Sequence, residues 1–485
     1  MPSATNKAAD IFSPLLGAAC VSDAERLRRY EVPERGAPGH ASCVLLPRDE
    51  AEVGAILQLA NGHGLKLVLS AGRTGLVEAQ RPEGEAVLSL ERLNQIISID
   101  APARTATLQA GVAVDALNEA LAAQGLMFPM EMGSTSAATV GACVANGSAG
   151  ANAVCYGTAA QMCASASGYW GNAQPAGPCS APPWQTPRGD QLAINSARMH
   201  PEWGLIGSQG SLGVITQVQL RLTPVPGQRE AALIPAGSMP AAMDVLAAAR
   251  AQFGADVEEF EFISRPAMGL VREARGAAFR LPFERDPDAA LYLLLQVKSA
   301  QPADSDDLAG RLYGFLANEL ALADEQIGYA PLKALKDIRH SITESSNLRM
   351  KKLGGGRLSF DTATPAARFG EYLDRLEHEL LAHYPGYEFI AFGHAGVGGA
   401  HLHVLGTRER PVHHHAQEIV KRVFDVTQAY GGTFSAEHGV GSKWGDEFLR
   451  RTPRAELEAM ALAKREHDPL NLLNPRCFGF DRVMR

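Results

Sequence analysis

The run Gly393-His394-Ala395-Gly396-Val397-Gly398-Gly399-Ala400-His401-Leu402-His403 leaves the chain few choices of local structure. His401 and His403 alternate around Leu402, so on a strand both imidazoles leave one face, and the glycines before them permit a tight turn that returns His394 alongside. A second segment, Ser435-Ala436-Glu437-His438-Gly439-Val440-Gly441, adds a carboxylate and a fourth imidazole. Two imidazoles and a carboxylate with one position left open form the donor set of a catalytic Zn²⁺-type site. A lone His-x-His reads more readily as a strand with incidental surface histidines; the second segment shifts the balance toward a metal.

Both segments resemble the C-terminal half of the FAD-dependent D-2-hydroxyacid dehydrogenases, which carry G-H-x-G-D-G-N-x-H followed by S-x-E-H-G-x-G. The resemblance implies that His394, His401 and Glu437 bind a divalent metal, zinc first with manganese or iron as alternatives. It also implies that His438 is the catalytic base. The chain departs at Val397, where the family has Asp, at Gly399, where it has Asn, and at His403, where Asn is common. The ligands survive, the groups that orient them are changed, and His403 becomes a candidate substrate contact.

Upstream, Asp49 and Glu52 form a capping-box-like start to an amphipathic helix that stops at Gly62 and Gly64. Strands follow at 65–69, 86–90, 96–99 and 105–109, then a helix from about Val114 to Gln124. This alternation is α+β or α/β. After the first strand, Ser70-Ala71-Gly72-Arg73-Thr74-Gly75-Leu76 is small enough for backbone N–H groups to approach a diphosphate. It resembles the P-R-G-G-G-T-G-L loop of the flavin domain shared with vanillyl-alcohol oxidase and p-cresol methylhydroxylase, with Ala71 and Arg73 replacing glycines.

A second small-residue stretch, 133–150, resembles the other FAD-contacting region of that domain and supplies Gly133, Ser134, Thr139, Gly141, Asn146, Gly147 and Gly150 as candidate contacts. Gly207-Ser208-Gln209-Gly210-Ser211-Leu212-Gly213-Val214-Ile215-Thr216 resembles the family's G-S-E-G-T-L-G-I-I-T, with Ile215 as a contact. Asp468-Pro469-Leu470-Asn471-Leu472-Leu473-Asn474-Pro475 resembles its D-P-x-x-x-x-N-P tail, which places Asn474 at the flavin ring. No imidazole lies in the first loop, so FAD is expected to be held without a covalent bond.

One stretch breaks the pattern. No Asp, Glu, Lys or Arg lies between Glu131 and Arg188, and residues 163–187 hold five prolines, which cannot donate in a central ladder. Either an unusual loop replaces the expected strands, or the coding sequence is read out of frame here. Beyond Pro226 long Ala/Leu helices (240–252, 305–323, 366–382, 415–430, 453–466) alternate with strands near 257–263, 290–298, 357–361 and 387–392. His413-His414-His415 reads as a solvated turn before a helix.

The resemblance therefore implies an α+β fold: a two-part FAD-binding domain of the vanillyl-alcohol oxidase type with a C-terminal α+β substrate cap. The expected division is a helical lead-in at 1–38, the FAD-binding domain at 39–225, the substrate- and metal-binding cap at 226–469, and a tail at 470–485 returning to the flavin. At 485 residues the chain also exceeds what one hydrophobic core usually supports. A net charge of −8 without a Lys/Arg run excludes nucleic acid as a general partner. No run of about 18 apolar residues occurs and Met1–Lys7 is not a signal start, so no transmembrane segment and a cytoplasmic location are expected. Seven cysteines without a C-x-x-C pair read as reduced thiols.

Oxidising a 2-hydroxy acid requires loss of the hydroxyl proton and transfer of the C2 hydride. Arg339, with Thr343 four residues on, resembles the family's R-x-x-x-T substrate-binding pair, and an arginine fork suits a carboxylate. The family's K-x-D appears as Ser359-Phe360-Asp361, so its second carboxylate-binding lysine is absent and Arg357 is the candidate replacement. D-Lactate, D-2-hydroxyglutarate or a bulkier 2-hydroxy acid all fit. The implied activity passes electrons to a non-oxygen acceptor, a quinone, a cytochrome or an electron-transfer flavoprotein. The alternative is a flavin-binding subunit of a multi-chain glycolate- or lactate-oxidising complex. A homodimer is compatible with either.

Overall fold

The computed structural model describes residues 7–187, 191–284 and 289–484. The extreme start (Met1–Asn6) and Arg188, which closes the uncharged stretch, lie outside the described residues. Asp49 caps the helix Glu50–His63 through the N–H of Glu52 at 2.9 Å, but the Glu52 carboxylate takes the N–H of Arg48, one residue before the cap. Gly64, at φ 64°, ends the helix and turns the chain into strand Leu67–Ser70. That strand lies parallel to Ala86–Ser89, which lies parallel to Val44–Leu45. The edge of this four-stranded sheet is Cys20–Val21, so the lead-in is not purely helical: it buries Val21 by adding a strand between its two helices.

A second, antiparallel sheet runs Ile96–Asp100, Thr105–Gln109, Gly213–Arg221, Cys163–Trp170, Pro175–Cys179. The uncharged stretch thus supplies two strands where a loop was one expectation. The reason is positional: 163–170 contains no proline, while Pro175 and Pro178 sit on the edge strand, where a missing donor costs least. Residues 180–187, with the other prolines, form neither helix nor strand.

The C-terminal part is a six-stranded antiparallel sheet in the order Gln228–Ala236, Leu291–Ser299, Val257–Ser264, Glu388–Gly393, Gly399–Thr407, Gly354–Ala363. Strand Val257–Ser264 shows how its two faces are used. Phe260 and Phe262 pack with the helices Met239–Phe253 and Ala366–His383. Glu259 and Glu261, two apart on the opposite face, meet Lys336 and Arg339, three apart on helix Leu332–His340, at 3.0 and 2.6 Å. Residues two apart on the strand and three apart on the helix each share a face, which pairs two fully buried carboxylates with two cations. The expected helix 305–323 is shorter, Leu308–Gly314, and continues as a π-turn segment, Phe315–Glu319. No helix among the described residues is long and apolar enough to cross a membrane.

Candidate functional site

A cavity of ≈ 850 Å³ opens between the N-terminal sheets and the six-stranded sheet. All of Ser70, Ala71, Gly72, Arg73, Thr74, Gly75 and Leu76 line it, with Gly133, Ser134, Gly141, Asn146, Gly150, Ile215 and Asn474. The two loops touch backbone to backbone, a Cβ on Gly72 falling 2.0 Å from the Ala137 carbonyl oxygen, while the ends of the second loop close on each other, a Cβ on Gly150 falling 2.1 Å from the carbonyl oxygen of Glu131. Gly72 is needed for loop-to-loop approach and Gly150 for closing its own loop, and the small residues around them leave the cavity wall open. Arg73 adopts the left-handed conformation that favours glycine (φ 60°); its guanidinium is tied to Glu91 at 3.0 Å and lies over the Tyr30 ring.

Two expected contacts are absent from the wall. Thr139 is the N-cap position of helix Val140–Asn146 and Gly147 its left-handed C-cap, so both shape the loop from its ends. Asn474 lines the cavity, but its side chain is spent on backbone: Oδ1 accepts from Leu69 N–H at 2.8 Å and Nδ2 donates to the Gln209 carbonyl at 2.7 Å. It locks the C-terminal tail and the 207–216 loop to the first strand.

The opposite wall holds His394, His401, His403, Glu437, His438, Arg339 and Thr343 together. Arg339 and Thr343 are not on one helix, as four-residue spacing suggests; helix Leu332–His340 ends between them and Ile342–Leu353 begins. Arg357 is not in the wall. It donates to Ser346 Oγ at 3.3 Å, and that hydroxyl meets His403 Nδ1 at 2.8 Å.

Three donor atoms converge. His401 Nε2 lies 3.3 Å from His394 Nε2 and 3.3 Å from Glu437 Oε1, and His394 Nε2 lies 3.6 Å from Glu437 Oε1. Donors held about 2.0–2.2 Å from one tetrahedral centre stand roughly 3.3–3.6 Å apart, so this triangle fits a Zn²⁺-sized cation. Glu437 Oε2 is buried without a hydrogen-bond partner, which also suits a cation. A second grouping of Asp361, His401, Glu437 and His438 also has its donors within 4.8 Å of one another. The first set is the better one, because Asp361 Oδ2 is already occupied by the backbone N–H groups of Glu437 at 2.9 Å and His438 at 2.8 Å.

Two of these buried acids have positions that sequence reasoning did not assign. Glu261 accepts from His394 Nδ1 and from Arg339 Nε, each at 2.6 Å. Burial pushes its carboxyl up, but His394 and Arg339 outweigh that and hold it well below the usual carboxylate range. Burial likewise opposes charge on His394, yet Glu261 and Glu437 raise it above the imidazole range. His401 and His403 are lowered, first by burial, then by His394 beside His401 and by Arg357 and Arg35 beside His403. Asp361 is raised by burial despite His438. The available signal for Glu261 was three glutamates, at 258, 259 and 261, in a strand otherwise apolar enough to be core.

A cavity walled on one side by small-residue loops and on the other by buried histidines, a carboxylate and an arginine defines a flavoprotein oxidoreductase. The model of the FAD linked oxidase C-terminal domain matches residues 225–477, a little over half of the chain, and that of the FAD binding domain matches 41–167. The chain belongs to the FAD linked oxidase family. It is similar to a D-2-hydroxyglutarate dehydrogenase of Stutzerimonas stutzeri, 27% identical over 94% of this chain and 95% of the relative. It is also similar to a D-lactate dehydrogenase of Archaeoglobus fulgidus, 28% identical over 97% of both. Among solved structures, alkyldihydroxyacetonephosphate synthase superposes with a TM-score of 0.71 at 16% identity, covering 98% of this chain and 85% of that one. p-Cresol methylhydroxylase gives 0.70 at 15%, covering 98% and 96%. These last two likenesses carry the fold alone.

Proposed function

We propose that the protein oxidises a D-2-hydroxy acid to the 2-oxo acid and passes the electrons to a non-oxygen acceptor. The observation that carries this reading is the triangle of His394, His401 and Glu437 facing two flavin-type loops across one cavity. FAD, held by the 70–76 and 133–150 loops, supplies when bound the acceptor for the two electrons that leave C2 with its hydrogen. A divalent metal, zinc by donor type, supplies when bound a Lewis acid for the substrate hydroxyl.

The chain's own residues do the rest. Arg339, aimed by Glu261, pairs with the substrate carboxylate, and Thr343 on the next helix borders the same space. His438 takes the hydroxyl proton; its Nδ1 faces Asp361 at 3.5 Å. His403, kept neutral by burial and by Arg357, presents an uncharged wall beside them. FAD is held without a covalent bond: the first loop has no histidine, and Cys143, which lines the cavity, is pushed up to about 12 by burial and is not a thiolate near neutral pH.

The test is a flavin spectrum of purified protein followed by dye reduction with D- and L-2-hydroxy acids. Bleaching by D-acids that is suppressed by chelation, without flavin release, supports the reading. No bleaching by any D-2-hydroxy acid with metal and FAD both present sinks it.

A further inference from the structure

Three cations border the His403 side of the cavity, and the neighbours of two of them, Gly36 and Ser442, both lie against Glu78. Arg35 and Lys443 line the wall, and Arg357 stands behind it on the Ser346–His403 contact. Among the described residues none of the three forms an ion pair. The carboxylates felt nearest are Glu34 beside Arg35 and Glu78 beside Lys443, and Glu78 is already paired with Arg81 at 3.0 Å. Lys443 Nζ is steadied 4.4 Å over the Trp444 ring. Burial first, and then mutual repulsion, lowers both Arg357 and Lys443: Arg357 feels Arg35, and Lys443 feels Arg35 and Arg357.

Like charges that border one cavity without a counter-ion cost stability unless an anion offsets them. The wall also has room for one. Ser359, at the position where the resemblance calls for a lysine, lines the cavity with a short side chain. Arg35 lies in the lead-in segment, just before the span 41–167 matched by the FAD binding domain.

We propose that Arg35 and Lys443, backed by Arg357, form an anion-selecting subsite that favours 2-hydroxy acids bearing a second carboxylate at the far end over 2-hydroxy monocarboxylates. The proposal rests on the reading above for placing the near carboxylate at Arg339. The lead-in segment then acts as a specificity element, standing in for the missing lysine.

The test measures binding without turnover. Glutarate and its monomethyl ester, which lacks one charge, are titrated calorimetrically into the FAD-loaded protein and into the Arg35→Gln/Lys443→Met double variant. Glutarate should bind wild type about tenfold or more tightly than the ester, and the ratio should fall toward one in the double variant. The charge-conserving Arg35→Lys/Lys443→Arg variant should keep the preference, which separates lost charge from lost fold. Equal affinities in wild type, or a preference surviving in the double variant, would overturn the proposal. A failure of D-2-hydroxy acids to reduce the flavin would instead strike at the activity, and the glutarate ratio would still decide the subsite.

Discussion

Asp361 anchors His438 twice: its Oδ2 accepts the backbone N–H of His438 at 2.8 Å and lies 3.5 Å from the ring Nδ1. The same oxygen takes the N–H of Glu437, so one buried carboxylate fixes two consecutive residues. Its strand, Gly354–Ala363, pairs antiparallel with Gly399–Thr407, placing Asp361 opposite His401. Glu437 and His438, the proposed metal ligand and proposed base, are therefore held by a single acid.

Asp361→Asn should lower the flavin-reduction rate and the zinc affinity together, each by about 10–100-fold, the usual cost of losing an orienting partner. FAD content should stay near one per chain. Stopped-flow reduction and elemental analysis on the same preparation check this; an unchanged rate would remove Asp361 from the site.

Glu261 links His394 to Arg339, so Glu261→Gln should move two readouts, of which Arg339→Lys moves only one. Zinc content should fall and KM for the hydroxy acid should rise, whereas Arg339→Lys should raise KM alone. Because the change leaves Arg339 buried and uncompensated, it should also destabilise the fold by about 3–5 kcal/mol. Thermal melts with and without zinc separate these effects.

Much of this arrangement was legible in the sequence. Apolar runs gave strands such as Leu291–Ser299 and Glu388–Gly393 within a residue or two, because a strand buried on both faces needs no alternation. His394, His401 and Glu437 were legible because their motifs are local. Asp361 stood out only as the acid of the K-x-D-like segment, and its hold on Glu437 and His438, 76 and 77 residues away, was not legible because only sheet pairing joins them. Arg35 was not singled out because it lies in a bend of a segment read as a lead-in, far in sequence from the other residues of the cavity wall. The prolines at 175 and 178 misled because composition does not say which strand is at an edge.

Glu258 ties the two matched regions together: Tyr156 donates to it at 2.7 Å and Arg229 at 2.6 Å, with Gln296 as a third donor. Burial works against its charge, but Arg229 outweighs that and lowers its pKa. A carboxyl held below its unfolded value of about 4.3 contributes stability that is fully present above that value and lost as pH falls through the folded value. Glu258→Gln should therefore melt well below wild type at pH 7, with the gap narrowing below about pH 4. A gap independent of pH would mean the residue acts through packing.

The sharpest test concerns His438. It lines the cavity beside the triangle of His394, His401 and Glu437, its ring stacked on His401 at 5.5 Å between centroids, with Nε2 3.6 Å from Glu437 Oε1. That distance makes a ligand role the direct rival of a base role. If His438 is the base, His438→Asn should slow flavin reduction by about 10²–10⁴-fold, since the substrate hydroxyl loses its proton acceptor, while the metal triangle of His394, His401 and Glu437 stays intact. Zinc and FAD content should then match wild type. If His438 is a ligand, the variant should lose zinc, and added zinc should restore part of the rate. His401→Ala provides the contrast, because it should lose zinc in either case. Stopped-flow reduction of zinc-replete His438→Asn decides between them: a near-normal rate there assigns the proton to another group, and His403 is the next imidazole in the wall.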